Sequence, residues 1–96
     1  MTGTRKTYVI TNLYVGNLAA ETTEHHLRNL FGTFGAVAKV TLALDRDGRS
    51  HGFAFVEMPN SSEARSAREL LNKTLLNNRE IQISEARPLA EVMGRA

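Results

Sequence analysis

Apolar and polar positions along this chain follow two rhythms, a period of two that marks half-buried strands and a period near 3.6 that marks amphipathic helices. The first strand-like run lies between Tyr8 and Val15 and closes on Gly16-Asn17, which is turn chemistry; its secure part is Asn12 to Val15. Leu27, Leu30, Phe31 and Phe34 then recur at i, i+3, i+4 and i+7 behind Thr23, a suitable N-cap, and predict a helix flanked at its end by Gly32 and Gly35. Val37 to Leu44 reads as a second strand, with Val40, Leu42 and Leu44 alternating against Lys39, Thr41 and Ala43. Asp45-Arg46-Asp47-Gly48 supplies a hairpin turn into a third strand, His51 to Met58, which Pro59 stops because it has no N–H to give a ladder.

A second helix follows. Asn60 precedes Glu63 by three residues, a capping-box-like start, and Ala64, Ala67, Leu70 and Leu71 mark its buried stripe. Asn72 is suited to a left-handed residue at its end, Asn77-Asn78 to a turn, and Ile81 and Ile83 alternate with Gln82 and Ser84 in a fourth strand. The order βαββαβ predicts an α+β, ferredoxin-like sandwich: a four-stranded antiparallel sheet with two helices on one face and the other face open. Residues 11–87 form this domain, 1–10 an N-terminal arm able to extend the first strand, and 88–96 a flexible C-terminal tail.

Strand parity then singles out three residues. With Leu13 and Val15 turned to the core, Tyr14 points outward; with Ala54, Val56 and Met58 inward, Phe53 and Phe55 point outward beside Glu57. Half of the chain's aromatic complement of two Tyr and four Phe therefore lies on the open face. Such a patch on a soluble domain marks a binding surface.

Composition narrows the class of function. The 96 residues suffice for one domain, and 42% hydrophobic with 23% charged residues is an ordinary globular balance. No stretch reaches the roughly 18 apolar residues of a membrane span, and no signal-peptide pattern follows the charged start. The expected setting is therefore cytoplasmic, or nuclear in a eukaryote, with no membrane partner. The absence of cysteine removes thiolate chemistry and Cys-ligated zinc. No nucleophile, base and pocket group together, so no enzyme, cofactor or metal site is expected. His25-His26 is a poor ligand pair, since adjacent helical residues project in different directions.

Leu13-Tyr14-Val15-Gly16-Asn17-Leu18 and His51-Gly52-Phe53-Ala54-Phe55-Val56-Glu57-Met58 resemble the hexamer and octamer of the RNA recognition motif family. Leu30-Phe31, Phe34-Gly35, Asp45-Arg46 and Glu85-Ala86-Arg87-Pro88 are also similar to that family's flanking text, so the resemblance covers about residues 12 to 87. In its brevity the chain is similar to the small bacterial proteins with one such domain, and eukaryotic domains of this length share it. The resemblance implies a monomeric protein that binds single-stranded RNA, and single-stranded DNA in vitro, by stacking bases on Tyr14, Phe53 and Phe55. The competing reading is a protein–protein interaction module that uses the same sheet face or the helices.

Around the aromatic platform, Lys39, Gln82 and Ser84 are outward strand positions able to meet base edges or phosphate, or to remain ordinary surface residues. Glu57 has the same two readings, as a base-edge acceptor or a solvated carboxylate. Asn17 is better suited to its turn than to a base. Arg87 follows the last strand, where relatives place contacts; its other reading is a mobile arginine of the tail. The octamer begins with His51 in place of the usual Lys or Arg, and an imidazole is mostly uncharged at neutral pH; Arg49, in the adjoining hairpin, is the available cation. Gly52, beside Phe53, keeps the sheet surface clear or accommodates a local twist.

The net charge of only +2 distributes unevenly. Arg28, Arg65 and Arg68 belong to helices, whereas Arg5, Lys6, Lys39, Arg46, Arg49 and Arg87 belong to the sheet, its hairpin or the adjoining tails. Asp45, Asp47, Glu57 and Glu85 share that region, so stacking is expected to supply more affinity than charge, with a salt slope of about two or three phosphate contacts.

Overall fold

A computed structural model describes residues 11–86 of the chain; the predicted arm 1–10 and tail 88–96 lie outside them, as does Arg87. The elements are β1 (Thr11–Gly16), α1 (Glu24–Gly32), β2 (Lys39–Leu44), β3 (Ser50–Met58), α2 (Ser61–Leu71), β4 (Leu75–Leu76), β5 (Arg79–Glu80) and β6 (Gln82–Ala86). Four of the strands form one antiparallel sheet in the order β2-β3-β1-β6, so β1 and β3 are central. This is the four-stranded sheet with two helices that the alternation of patterns predicts. No helix among the described residues is long and apolar enough to cross a membrane.

One face of the sheet carries the core. Leu13, Val15, Ala54, Val56 and Met58 are fully buried there, joined by Val40 and Ile83, and meet Leu27 and Phe31 of α1 and Ala64, Ala67 and Leu71 of α2. Leu30 and Phe34 flank this cluster, as the 3.6-residue period requires. The small alanines of α2 allow its backbone to lie close against the sheet.

Both helices start at side-chain caps. Thr23 accepts from His26 N–H at 3.1 Å, and His26 Nδ1 accepts from Thr23 N–H at 3.1 Å, a reciprocal capping box in which an imidazole replaces the usual Glu or Gln. Asn60 caps α2 by accepting from Ser62 and Glu63 N–H. The predicted return half of that box is absent: Glu63 instead accepts from Ala36 N–H at 3.3 Å, tying α2 to the end of the α1 loop.

Several local expectations are corrected. Leu70 is 65% exposed, because at six residues from Ala64 it has rotated off the buried face that Ala67 and Leu71 continue. Leu44 is 52% exposed, because it keeps the side of Leu42 but stands at the hairpin end of β2, where it lines only an open hollow beside the start of α1. Asn72 stays extended at the end of α2 and accepts from Ile83 N–H at 2.8 Å, while Lys73 takes the left-handed conformation with φ 71°. Asn77 and Asn78 both have positive φ, the requirement of a tight hairpin turn, and they join β4 to β5 in a small second sheet that periodicity did not reveal.

Candidate nucleic-acid interface

The outer face of the same strands holds Tyr14, Phe53 and Phe55, each half-buried. Register explains their meeting: Tyr14 of β1 pairs with Phe55 of β3, and Phe53 precedes Phe55 by one pleat repeat. Ring centroids are 5.7 Å apart for Tyr14 and Phe53, 5.8 Å for Tyr14 and Phe55, and 6.0 Å for Phe53 and Phe55. The two phenylalanines stand edge to face at 85°. These geometries suit aromatic quadrupoles, so the rings support one another without a covering layer.

Gly16 sets the attitude of Tyr14. A Cβ at that position would come within 2.8 Å of the Tyr14 ring and hydroxyl, so the ring leans over a residue that has no side chain. A turn-closing glycine in the sequence is thus also a packing requirement of the platform.

The octamer's glycine has a different reason from clearance. Between the pairs Leu42↔Ala54 and Leu44↔Ser50, β2 contributes one intervening residue and β3 three, so β3 bulges through His51, Gly52 and Phe53. Gly52 sits in the bulge at φ 87°, and its carbonyl accepts from Leu18 N–H at 2.9 Å. A Cβ there would meet nothing closer than 3.5 Å, so backbone conformation and not space demands glycine. The local-twist reading of Gly52 is the one observed.

Within the bulge, exposed His51 lies 6.4 Å from Phe53, centroid to centroid, and extends the aromatic surface by one ring. A shallow hollow of about 470 Å³ opens between them, lined by Tyr14, His51, Phe53, Asn17 and Arg79. Asn17, at φ 60°, is occupied within the protein: its Nδ2 donates to the Glu80 carbonyl at 2.7 Å, and its Oδ1 accepts from the Arg79 guanidinium. Arg79 Nε also donates to the Asn17 carbonyl at 3.2 Å. Arg79 is the cation that sequence reasoning overlooked. Its only local signal is a basic residue after an Asn-Asn turn, and what places it is a contact across 62 positions of chain.

The remaining candidates divide by location. Ser84 pairs with Tyr14 and Thr41 with Phe55, so both flank the aromatic row; Lys39 pairs with Glu57 one row further along. Gln82 pairs with Gly16 and, with Ser84 and Tyr14, lines a second hollow of about 330 Å³ beside Lys73. Lys39, Gln82 and Ser84 are exposed, as is Arg49. Arg49 stands in the hairpin, where the Asp45 carboxylate accepts from Asp47 and Arg49 N–H at 2.8 and 2.9 Å and holds the turn closed. Among the described residues no three His, Asp or Glu side chains gather to hold a metal ion. His25 contacts Asn29, and His26 serves the cap of α1.

Comparison with known proteins adds a family. A sequence model of the family described as RNA recognition motif matches residues 13–82. RbpF of Nostoc sp. strain PCC 7120 is 40% identical over 78 residues, covering 80% of this chain and 74% of RbpF. The crystal structure of the RNA-binding protein PG1 superimposes with a TM-score of 0.77 at 41% identity, covering 81% of this chain and 98% of that one. A Sxl-lethal protein/RNA complex superimposes with a TM-score of 0.78 at 32% identity, covering 81% of this chain and 47% of that one.

Proposed function

The chain belongs to the RNA recognition motif family, and from that premise we propose that it holds a short segment of single-stranded RNA across its open sheet face by stacking bases on Tyr14, Phe53 and Phe55. The observation that carries this reading is the triangle of three half-exposed rings, each within 6.0 Å of the others, on a face with no described element above it. An unpaired base has two apolar faces that need partners, and a duplex hides them, so the platform favours single strands, including single-stranded DNA in vitro.

Placement supports a division of labour. The central rings contribute roughly 1–3 kcal/mol per stacked base, while Lys39, Arg49, Arg79 and His51 stand around the rim where a sugar–phosphate chain would pass. Gln82 and Ser84 extend the same path along β6; Arg87, the further contact expected from the sequence, lies outside the described residues. The role is binding, with no catalytic step.

Titration with short single-stranded RNA, followed by backbone amide chemical shifts, tests the reading. The expected result is a set of perturbations centred on Tyr14, Phe53 and Phe55. Saturation with RNA that leaves those amides unmoved overturns it, and a peptide or a second copy of the chain that moves them when RNA does not would establish the protein-interaction alternative.

A further inference from the structure

One row beyond the aromatic platform, three strands bring together side chains of defined hydrogen-bonding character. Lys39 of β2 pairs in register with Glu57 of β3, and Glu57 pairs with Asn12 of β1, so the three stand side by side across the sheet. They share the outward parity of Phe55 and Tyr14 and lie one pleat repeat, about 7 Å, from that row. Lys39 is exposed, and Glu57 and Asn12 are half-buried. Among the described residues neither Lys39 nor Glu57 enters an ion pair, although they are register neighbours of opposite charge. Asn12 Oδ1 is screened from water and has no hydrogen-bond partner among the described residues. A buried acceptor left unpaired is unfavourable, and because the Asn12 side chain as a whole is only half-buried, a turn about its own bonds that brings Oδ1 to an incoming N–H is rewarded.

Resting on the proposed stacking of RNA on Phe55 and Tyr14, we infer that this row reads the Watson–Crick edge of a stacked base and selects guanine. A base lying flat on the Phe55–Tyr14 row directs an edge along the sheet toward the neighbouring row. In strand order that row offers a donor (Lys39), an ionised acceptor (Glu57) and a neutral acceptor (Asn12 Oδ1). Guanine presents the complement in the same order: O6 accepts, N1–H donates and the N2 amino group donates. Uracil presents an acceptor, a donor and an acceptor, which sets its O2 against Asn12 Oδ1. Cytosine presents a donor and two acceptors, opposed at every position, and adenine sets N1, an acceptor, against the Glu57 carboxylate. Mismatched lone pairs at a partly desolvated site discriminate more strongly than missing contacts do. The Lys39 and Glu57 stems are long enough to converge on one base from strands about 4.8 Å apart.

The test compares uridine oligomers of one length carrying a single central guanosine, adenosine, cytidine or inosine, titrated by fluorescence anisotropy against the full chain. A single guanosine avoids guanine self-association. The guanosine oligomer is expected to bind about tenfold more tightly than the all-uridine strand, within the range of a good two-point edge contact. Inosine, which lacks the N2 amino group, is expected to lose most of that gain. Glu57→Leu, which removes both the negative charge and the acceptor, is expected to raise affinity for all strands slightly and to erase the preference for guanosine. Binding to all oligomers without guanosine preference, or a preference that survives Glu57→Leu, overturns this inference and leaves RNA binding intact. Failure of every oligomer to bind overturns the proposed function with it. Circular dichroism of the variant separates loss of preference from loss of fold.

Discussion

The two faces of the sheet are built from the same strands, and alternate residues of β1 and β3 serve opposite ends. Leu13, Val15, Ala54, Val56 and Met58 are sealed against two helices, whereas Tyr14, Phe53 and Phe55 one position away remain half-exposed. The inner face is aliphatic apart from Met58 and meets its partners by interdigitation. The outer face is aromatic, meets itself through edge contacts, and is bordered by Lys39, Glu57, His51 and Arg79. Large apolar rings at an exposed surface contribute less to folding than the same rings would inside, so their presence on the outer face points to a ligand that completes their burial.

Substitutions on the two faces should therefore fall on different measurements. The largest expected effect is on the inner face: Leu13→Ala leaves a cavity among fully buried neighbours and should cost about 2–5 kcal/mol of stability in denaturant unfolding, while the protein that remains folded keeps its RNA affinity. A loss of affinity out of proportion to the unfolded fraction would show that the faces are coupled. On the outer face the signature reverses. Phe55→Ala should weaken RNA binding by about 1–3 kcal/mol and lower stability by no more than about 1.5 kcal/mol, the worth of its edge contacts. Unfolding of that variant would abolish the distinction between the faces.

The smallest effect concerns the rim. His51 stands beside Phe53 where other octamers carry a fixed cation, so His51→Lys should tighten binding of an all-uridine strand by a few-fold and steepen its salt dependence by about one phosphate contact. Equal affinities and salt slopes for the variant and the parent chain would take position 51 out of the contact set and sharpen the comparison toward the three central rings.

Much of this arrangement is legible in the chain because it is local. The outward placement of Tyr14, Phe53 and Phe55 follows from the alternation of side chains along a strand, which backbone geometry imposes wherever one face is buried. The caps at Thr23 and Asn60 and the turn at Asn77-Asn78 are local in the same sense, since each is satisfied within four residues. Leu70 and Asn72 were misjudged where neighbouring residues compete for one role, and helical phase in the first case and the hydrogen bond to Ile83 in the second decided between them.

Other features are properties of the assembled sheet. The bulge at Gly52 depends on how many residues β3 and β2 each spend between two pairings, which neither strand fixes alone. The clasp of Arg79 on Asn17 joins positions 62 apart, so only the packing of the β4–β5 hairpin against the end of β1 brings a cation to the hollow beside Phe53. The row Lys39, Glu57 and Asn12 likewise exists only through strand register. By itself the sequence determined which side of each strand faces the core, because that is set residue by residue along the backbone. Which residues stand side by side across strands was decided by the tertiary structure, because lateral order depends on register and crossover, which no single segment contains.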